Sequence, residues 1–286
     1  MKRARLLSLT WLLGATSLWA NDAYIPEPGT GSFYPMASVQ WAQDFWFDDN
    51  PATLPGYLTQ VTANFDGEYG LTQDLAADFS VGFSTVNYKG GSLAGIKLIQ
   101  DGITTRNGTT DSKIGVSWRL MDEFTSISES APTLTFRVGG ILEGTYDTGF
   151  INAVGDGASG FEAGVRFGKV FIPHNAGIYG SVDYRWLNTS TPDEWEASVG
   201  AFKTMGGFTF SAGMREKQSV GGIDILGPGF SLDRFPDVRE KNLTAEVGAT
   251  WQRTESSSWS VGYVRTLDGE NTPKKNVLVA AMSIQF

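Results

Sequence analysis

The last eleven residues, Asn276–Phe286, constrain the fold more than any other stretch of the chain. Counted back in twos from the end, one face of this stretch is apolar and consists of Phe286, Ile284, Met282, Ala280 and Leu278. The other face ends in the polar Ser283 and Gln285. A period of two predicts a β-strand with one apolar face. Soluble domains rarely end on such a strand, whereas the strand that closes a membrane barrel commonly does. The rest of the chain is therefore expected to be alternating strands.

The first twenty residues have the pattern of an export signal. Lys2, Arg3 and Arg5 form a positive region, Leu6–Leu18 is mostly apolar, and Ala20 is the expected last residue before cleavage. The apolar run is too short for a helix that anchors the protein in a membrane. We therefore predict that residues 1–20 are a signal peptide.

Composition excludes several functional classes. Loss of the three positive charges of the signal takes the net charge from −9 to −12, and an acidic exported chain is a poor partner for nucleic acid. The absence of cysteine excludes disulfides, thiol chemistry and a lipoprotein anchor. No apolar run long enough for a transmembrane helix follows the signal. Thirty-five glycines and 13% aromatic residues fit an all-β chain with many turns.

Twelve amphipathic stretches predict the fold. They are Ala37–Phe47, Leu58–Leu71, Leu75–Val86, Lys113–Leu120, Thr133–Leu142, Phe161–Phe171, Ile178–Leu187, Glu194–Lys203, Phe208–Gln218, Leu243–Gln252, Trp259–Thr266 and the terminal strand. Connections after even-numbered strands are short, except Met121–Pro132, and those after odd-numbered strands, such as Asp48–Tyr57, are longer. This alternation is typical of outer-membrane barrels. We predict an all-β, twelve-stranded antiparallel up-and-down transmembrane barrel over residues 37–286, with a periplasmic lead-in at 21–36.

The second face of these strands is polar, and its charges are unevenly distributed. The first three strands contribute only acids, which are Asp44, Asp66, Glu68 and Asp78. Strands four to nine contribute bases, among them Lys113, Arg119, Arg137, Arg166, Arg185 and Arg215. Charges inside a barrel must be paired or hydrated. We interpret them as an acidic wall beside a mixed, largely basic wall, which would orient polar or zwitterionic solutes in a pore. The alternative is a lumen filled by cross-barrel ion pairs.

Two of the predicted outer loops are unusually apolar. Their apolar residues are Leu93, Ile96, Leu98 and Ile99 in the first loop and Ile223, Ile225, Leu226 and Phe230 in the second. Such residues can fold into the mouth of a barrel, contact an apolar ligand, or pack on the rim. Packing on the rim is the expected arrangement, since long loops often pack on themselves.

Catalysis has little support in the sequence. A hydrolase of the Ser-His type needs a histidine base, and the single histidine, His174, lies in a predicted turn on the periplasmic side. The residue types and spacings of zinc or calcium sites are absent. We therefore predict no catalytic residues, no metal and no cofactor.

Several short pieces resemble a known family. Gly67-Glu-Tyr-Gly-Leu-Thr-Gln-Asp-Leu75, followed by Ala77–Val86, resembles a hairpin of the MetA-like outer-membrane proteins, which are named after a phenol-degradation pathway. Ile114–Leu120, Gly160–Val170 and Ile178–Trp186 resemble later strands of that family. The resemblance implies a transporter or channel for small, often hydrophobic or aromatic compounds, and it brings no catalytic residues with it.

These observations predict an outer-membrane channel or transporter for small solutes in a Gram-negative bacterium. The expected partners are outer-membrane lipid, a small-molecule solute and the barrel-assembly machinery, whose C-terminal recognition signature the last strand resembles. Two alternatives remain at this point. One is a structural or surface-export accessory barrel with a plugged lumen, and the other is an outer-membrane lipid enzyme.

Overall fold

The computed structural model describes residues 23–93, 96–99, 101–128 and 130–286, so the predicted signal peptide lies outside the described residues. Twelve long strands form the wall of the molecule. They are β1 (Gly31–Phe47), β2 (Asn50–Gly70), β3 (Leu75–Tyr88), β4 (Ser112–Met121), β5 (Thr133–Leu142), β6 (Gly160–Phe171), β7 (Ala176–Leu187), β8 (Asp193–Met205), β9 (Phe208–Val220), β10 (Lys241–Thr254), β11 (Ser257–Glu270) and β12 (Asn276–Gln285).

Each of these strands pairs antiparallel with its neighbours in sequence, and β1 pairs with both β2 and β12. At the closing seam Ser32 is opposite Gln285, and Trp41 is opposite Asn276. The sheet therefore closes on itself, and the predicted twelve-stranded antiparallel barrel is confirmed. Of three further short strands, Thr105–Thr109 pairs with β3 beyond the point where β4 begins, and Ser92–Leu93 pairs with Ile96–Lys97.

The two faces of the wall differ as the period of two predicts. Large apolar side chains are exposed on the outside, for example Val61, Phe83, Ile114, Val182 and Leu278. Buried polar and charged side chains occupy the inside, for example Thr135, Arg137, Glu162, Asp183 and Glu194. An apolar outer belt is unfavourable in water and suits the hydrocarbon of a membrane. Exposed Tyr69, Trp186, Trp251 and Trp259 lie near strand ends, where aromatic girdles occur.

The two ends of the barrel are different. The described lead-in, Phe286 and most of the tight connections lie at one end, called here the short-turn end, where the backbone of Gly31 donates a hydrogen bond to the carbonyl of Phe286. The connections at the opposite, long-loop end include the segments 89–111, 143–159 and 221–240. The two named helices among the described residues are short 3-10 turns, Ile172–His174 and Leu232–Asp237, and neither is long or apolar enough to cross a membrane.

The first connection is shorter than predicted. The stretch Asp48–Tyr57 is predicted to be a connection, but β2 begins at Asn50, and Asp44 pairs with Thr53. Proline is tolerated here because this part of β2 lies beyond its pairing with β3, which starts at Leu58. The extended hairpin also buries Phe45 and Leu54, so tertiary packing overrides the local turn signals.

The first strand begins earlier than predicted. It starts at Gly31 rather than at Ala37, so the irregular part of the described lead-in is limited to residues 23–30. Gly29 donates a backbone hydrogen bond to the carbonyl of Gly70, and Gly70 donates one to Thr30, both at 2.9 Å. A Cβ at Gly70 would lie 2.2 Å from the carbonyl oxygen of Glu27, so this close approach requires glycine. The lead-in is thereby held against the short-turn end.

Candidate functional site

A network of ion pairs runs along the inner wall and is centred on Glu162 of β6. Its carboxylate is 2.9 Å from Lys113 Nζ on β4 and 3.4 Å from Arg185 Nε on β7, and it also pairs with Arg137 on β5. Arg137 Nε donates to Asp78 Oδ1 on β3 at 2.9 Å. The side chain of Glu162 is only 5% exposed, so these cations offset a large desolvation cost.

The network continues to β9. Arg185 pairs with Glu194 at 3.2 Å and with Glu196 at 3.3 Å, both on β8. Glu196 pairs in turn with Arg215, and Glu194 lies 2.6 Å from Lys217, both on β9. Each of these pairs joins neighbouring strands or strands with one strand between them. The network therefore follows the wall.

Glycines on the inner face let these long side chains lie flat. A Cβ at Gly115 would lie 2.5 Å from the Arg137 guanidinium, and one at Gly164 would lie 2.0 Å from the Asp183 carboxylate. In the structure, these two positions hold the neighbouring strands' charged groups against the wall.

The other predicted lumen residues lie in separate surroundings. Arg166 pairs with Asp183 at 3.3 Å, whereas Arg119 pairs with Asp74 at the short-turn end at 3.3 Å. Among the acids, Asp44 accepts a hydrogen bond from Thr53, Asp66 accepts one from Asn64, and Glu68 accepts one from Tyr34. Asp78 is the acid of this set that Arg137 connects to the network. The division into an acidic wall and a basic wall stays a prediction.

Apolar loop residues close over the long-loop mouth. Leu98 and Ile99 of one loop and Ile225 and Val238 of another are buried in one cluster. The same cluster includes inner-wall or hairpin residues, which are Phe45, Leu54, Leu58, Val86 and Tyr88. The loops thus fold into the mouth instead of packing on the rim as expected. We call this cluster the loop cap.

Asn271, in the turn between β11 and β12, ties the loop cap together. It is 1% exposed and has a positive φ of 49°, a conformation that asparagine tolerates better than most residues. Its Oδ1 accepts hydrogen bonds from the backbone of Asp48 at 2.8 Å and of Ile225 at 3.1 Å. Its amide donates to Asp224 Oδ1 and to the carbonyl of Arg239, both at 3.1 Å. One side chain therefore links three connections of this end.

A cavity of about 190 Å³ lies beneath the loop cap. Its apolar lining comes from Phe45, Leu58, Val86, Ile225 and Val238. Polar groups also line it, among them Gln40, Gln60, Asp156, Glu240 and Lys275. The cavity thus combines an apolar side with charged groups, as small-molecule sites do.

A second closure lies at the short-turn end and is formed by the lead-in. Tyr24 packs against Phe124 of the turn 122–132, with ring centroids 6.2 Å apart, and its hydroxyl donates to Glu123 Oε1 at 2.7 Å. Burial, followed by the hydrogen bond to Glu123, raises the pKa of Tyr24 above its usual range. The carbonyl of Ala23 accepts a buried hydrogen bond from Thr135 at 2.7 Å.

Inward-facing residues of the wall complete this closure, which we call the lead-in plug. Tyr24 and Phe124 pack against a buried cluster of Val170, Tyr179 and Phe202. A Cβ at Gly168 would lie 2.7 Å from the Tyr24 ring, so the wall is recessed there. Sequence reasoning missed the plug, although an aromatic Tyr24 in an otherwise irregular segment was a signal for it.

His174 lies exposed in the 3-10 turn at the short-turn end, where its carbonyl accepts a hydrogen bond from Lys203 Nζ. Within the part of the chain that the structure describes, no group of three or more His, Cys, Asp or Glu side chains is arranged to hold a metal ion.

A scan against protein-family models finds no match to the sequence, and a search of curated proteins finds none either. Among solved structures, the COG4313 outer membrane channel from Pseudomonas putida F1 aligns with a TM-score of 0.73 and 14% identity, over 93% of this chain and 98% of that chain. The translocator domain of autotransporter NalP from Neisseria meningitidis aligns with a TM-score of 0.49 and 11% identity, over 100% and 96% of the two chains. The CymD monoaromatic hydrocarbon channel aligns with a TM-score of 0.43 and 10% identity, over 95% of this chain and 94% of that chain.

The similarity to the Pseudomonas channel shows a shared fold, that of an outer-membrane barrel. The resemblance to the MetA-like family stays a prediction, because no family model matches the sequence.

Proposed function

We propose that this chain is a channel that passes small solutes across the outer membrane of a Gram-negative bacterium. The observation that carries the proposal is the arrangement of the Glu162 network, whose ion pairs join near-neighbour strands and follow the wall. Each of the two constrictions is closed by a segment outside the wall, which is a pair of loops in the loop cap and the lead-in with the turn 122–132 in the lead-in plug. Such segments can move without breaking the barrel, whereas a lumen filled by wall side chains cannot open in this way.

The cellular setting follows from the same proposal. The signal peptide directs export, the apolar outer wall contacts lipid, and the strand ending at Phe286 is read by the barrel-assembly machinery. The short-turn end then faces the periplasm and the long-loop end faces outward. The solute would enter past the loop cap and leave past the lead-in plug. No step of this function requires catalysis, a metal or a cofactor.

Purified protein in planar lipid bilayers tests the proposal. A channel gives discrete conductance steps, and these are the expected result. A barrel that stays folded and gives no steps, even after the lead-in is removed, would instead favour the structural or export-accessory barrel with a closed lumen.

Charge reversal in the lumen should change ion selectivity. Asp66→Lys replaces an inner-wall acid with a base, so the ratio of cation to anion permeability should fall by roughly a factor of two. The measurement is the reversal potential under a salt gradient. Glu255→Lys, in an exposed turn between β10 and β11, is the control and should leave this ratio nearly unchanged. Equal effects of both substitutions would argue that Asp66 does not face the conduction path.

A further inference from the structure

The cavity under the loop cap has the size of a small organic molecule. An engineered protein cavity of about 150 Å³ lined by Leu, Ile and Phe binds benzene. The present cavity, at about 190 Å³, has room for one ring and a short polar substituent. Its apolar side, which includes Phe45, Leu58 and Ile225, would contact the ring.

Two oppositely charged side chains that line the same cavity form no ion pair among the described residues. Asp156 belongs to the loop 143–159, and Lys275 immediately precedes β12. Neither forms an ion pair with any residue in the described part of the chain. Glu240, which also lines the cavity, is 3.6 Å from Lys217 and is therefore already engaged. A charged group without an ion-pair partner favours a ligand that brings the opposite charge to a cavity with an apolar side.

The pKa shifts of Asp156 and Lys275 agree with the absence of an ion-pair partner for either group. Burial raises the pKa of Asp156 to about 7, with the charge of Glu240 as the next largest cause. The side chain of Asp156 is exposed where it lines the cavity. The pKa is therefore raised by the protein that surrounds the cavity, and the carboxylate remains accessible to a ligand. Burial lowers the pKa of Lys275, and the neighbouring Glu240 acts in the opposite direction. Each group is therefore held closer to losing its charge than it would be in water.

We propose that this cavity binds a small zwitterion, with an apolar body of about one ring, an ammonium group that faces Asp156 and a carboxylate that faces Lys275. The inference rests on the proposed channel function, because it names the class of solute that would pass the loop cap. Binding is nevertheless measured separately from conduction.

Four single-ring probes that differ only in charge test the proposal on the full-length mature protein in detergent, by isothermal titration calorimetry. They are phenylalanine, phenethylamine, 3-phenylpropionate and toluene. Phenylalanine should bind most tightly, by about tenfold over either singly charged probe, because each of these loses one charge-assisted contact. Equal affinity for toluene and phenylalanine would overturn the proposal, since it would show an apolar site without charge recognition.

Substitutions assign the two contacts. Asp156→Asn should weaken the binding of phenylalanine and phenethylamine by about tenfold and leave that of 3-phenylpropionate unchanged. Lys275→Gln should instead weaken the binding of 3-phenylpropionate and leave that of phenethylamine unchanged. The exposed Asp49→Asn and Lys89→Gln are matched controls and should change no affinity. If both cavity variants weaken all four probes equally, the cavity has changed shape and the assignment of charges is wrong.

The affinity for phenylalanine should also fall severalfold as the pH is lowered from 8 to 6. Asp156 has a raised pKa, so its carboxylate becomes protonated through this range and loses its attraction for an ammonium group. The groups that act on it are Glu240, Lys217, Glu194 and Asp111. The Asp156→Asn variant should bind equally at both pH values. A pH dependence that persists in this variant would show that another group titrates.

The two proposals can fail independently. Conductance steps without binding of any probe would leave the channel in place and remove the zwitterion site. Binding of phenylalanine by a barrel that never conducts would keep the site and remove the channel.

Discussion

Replacing Ala23–Pro26 with an equal length of glycine and serine should raise single-channel conductance roughly two- to fivefold. The replacement removes the Tyr24 ring from its contact with Phe124 and from the recess above Gly168. It also removes the hydrogen bond from the Tyr24 hydroxyl to Glu123. The lead-in plug then loses its anchor, while β1 keeps its pairing with β2 and β12. Planar-bilayer recordings measure the effect.

A single substitution isolates the ring. Tyr24→Ala should reproduce most of the increase, whereas Tyr57→Ala removes an identical side chain that is 59% exposed on β2 and should have no effect. Gel mobility before and after heating checks that each barrel is folded. Unchanged conductance in a folded Tyr24→Ala barrel would mean that the lead-in plug does not limit the current.

The strands were predictable because the two faces of a barrel wall meet opposite surroundings. The apolar alternation placed β5 at Thr133–Leu142, as observed, and found all twelve strands. Local pattern failed where tertiary packing competes with it. The β1–β2 hairpin contains Asp48, Asp49 and Pro51, which favour a turn, yet it stays extended because Phe45 and Leu54 are buried in the loop cap.

The site was less predictable than the wall. Period two assigned Arg137 and Asp78 to the inner face, but it could not say which acid meets which base. The pairing depends on the register between strands. A shift of the register by one residue would turn each side chain of the strand to the opposite face. The lead-in plug depends on contacts such as Thr135 with Ala23, which are 112 residues apart. Asp156 and Lys275 line one cavity only because the loops fold into the mouth.

Glu162→Gln should lower the free energy of unfolding by about 3 kcal/mol, because it removes the anion from a nearly buried group of cations. The glutamine keeps the shape of the side chain but not its charge. Arg137 keeps Asp78, and Arg185 keeps Glu194 and Glu196. Lys113 forms its ion pair with Glu162, so the loss falls mainly on it. Urea titration in lipid vesicles, followed by tryptophan fluorescence, measures the change.

Burial, rather than the mere presence of an ion pair, should decide the size of this loss. Asp74→Asn makes the same carboxylate-to-amide change in a pair with Arg119, but Asp74 is 62% exposed, so the cost should be below about 1 kcal/mol. Adding Lys113→Met to Glu162→Gln removes the cation that has lost its partner and should recover part of the stability. Similar losses in the two single variants, or no recovery in the double variant, would show that the Glu162 network contributes to stability by packing alone.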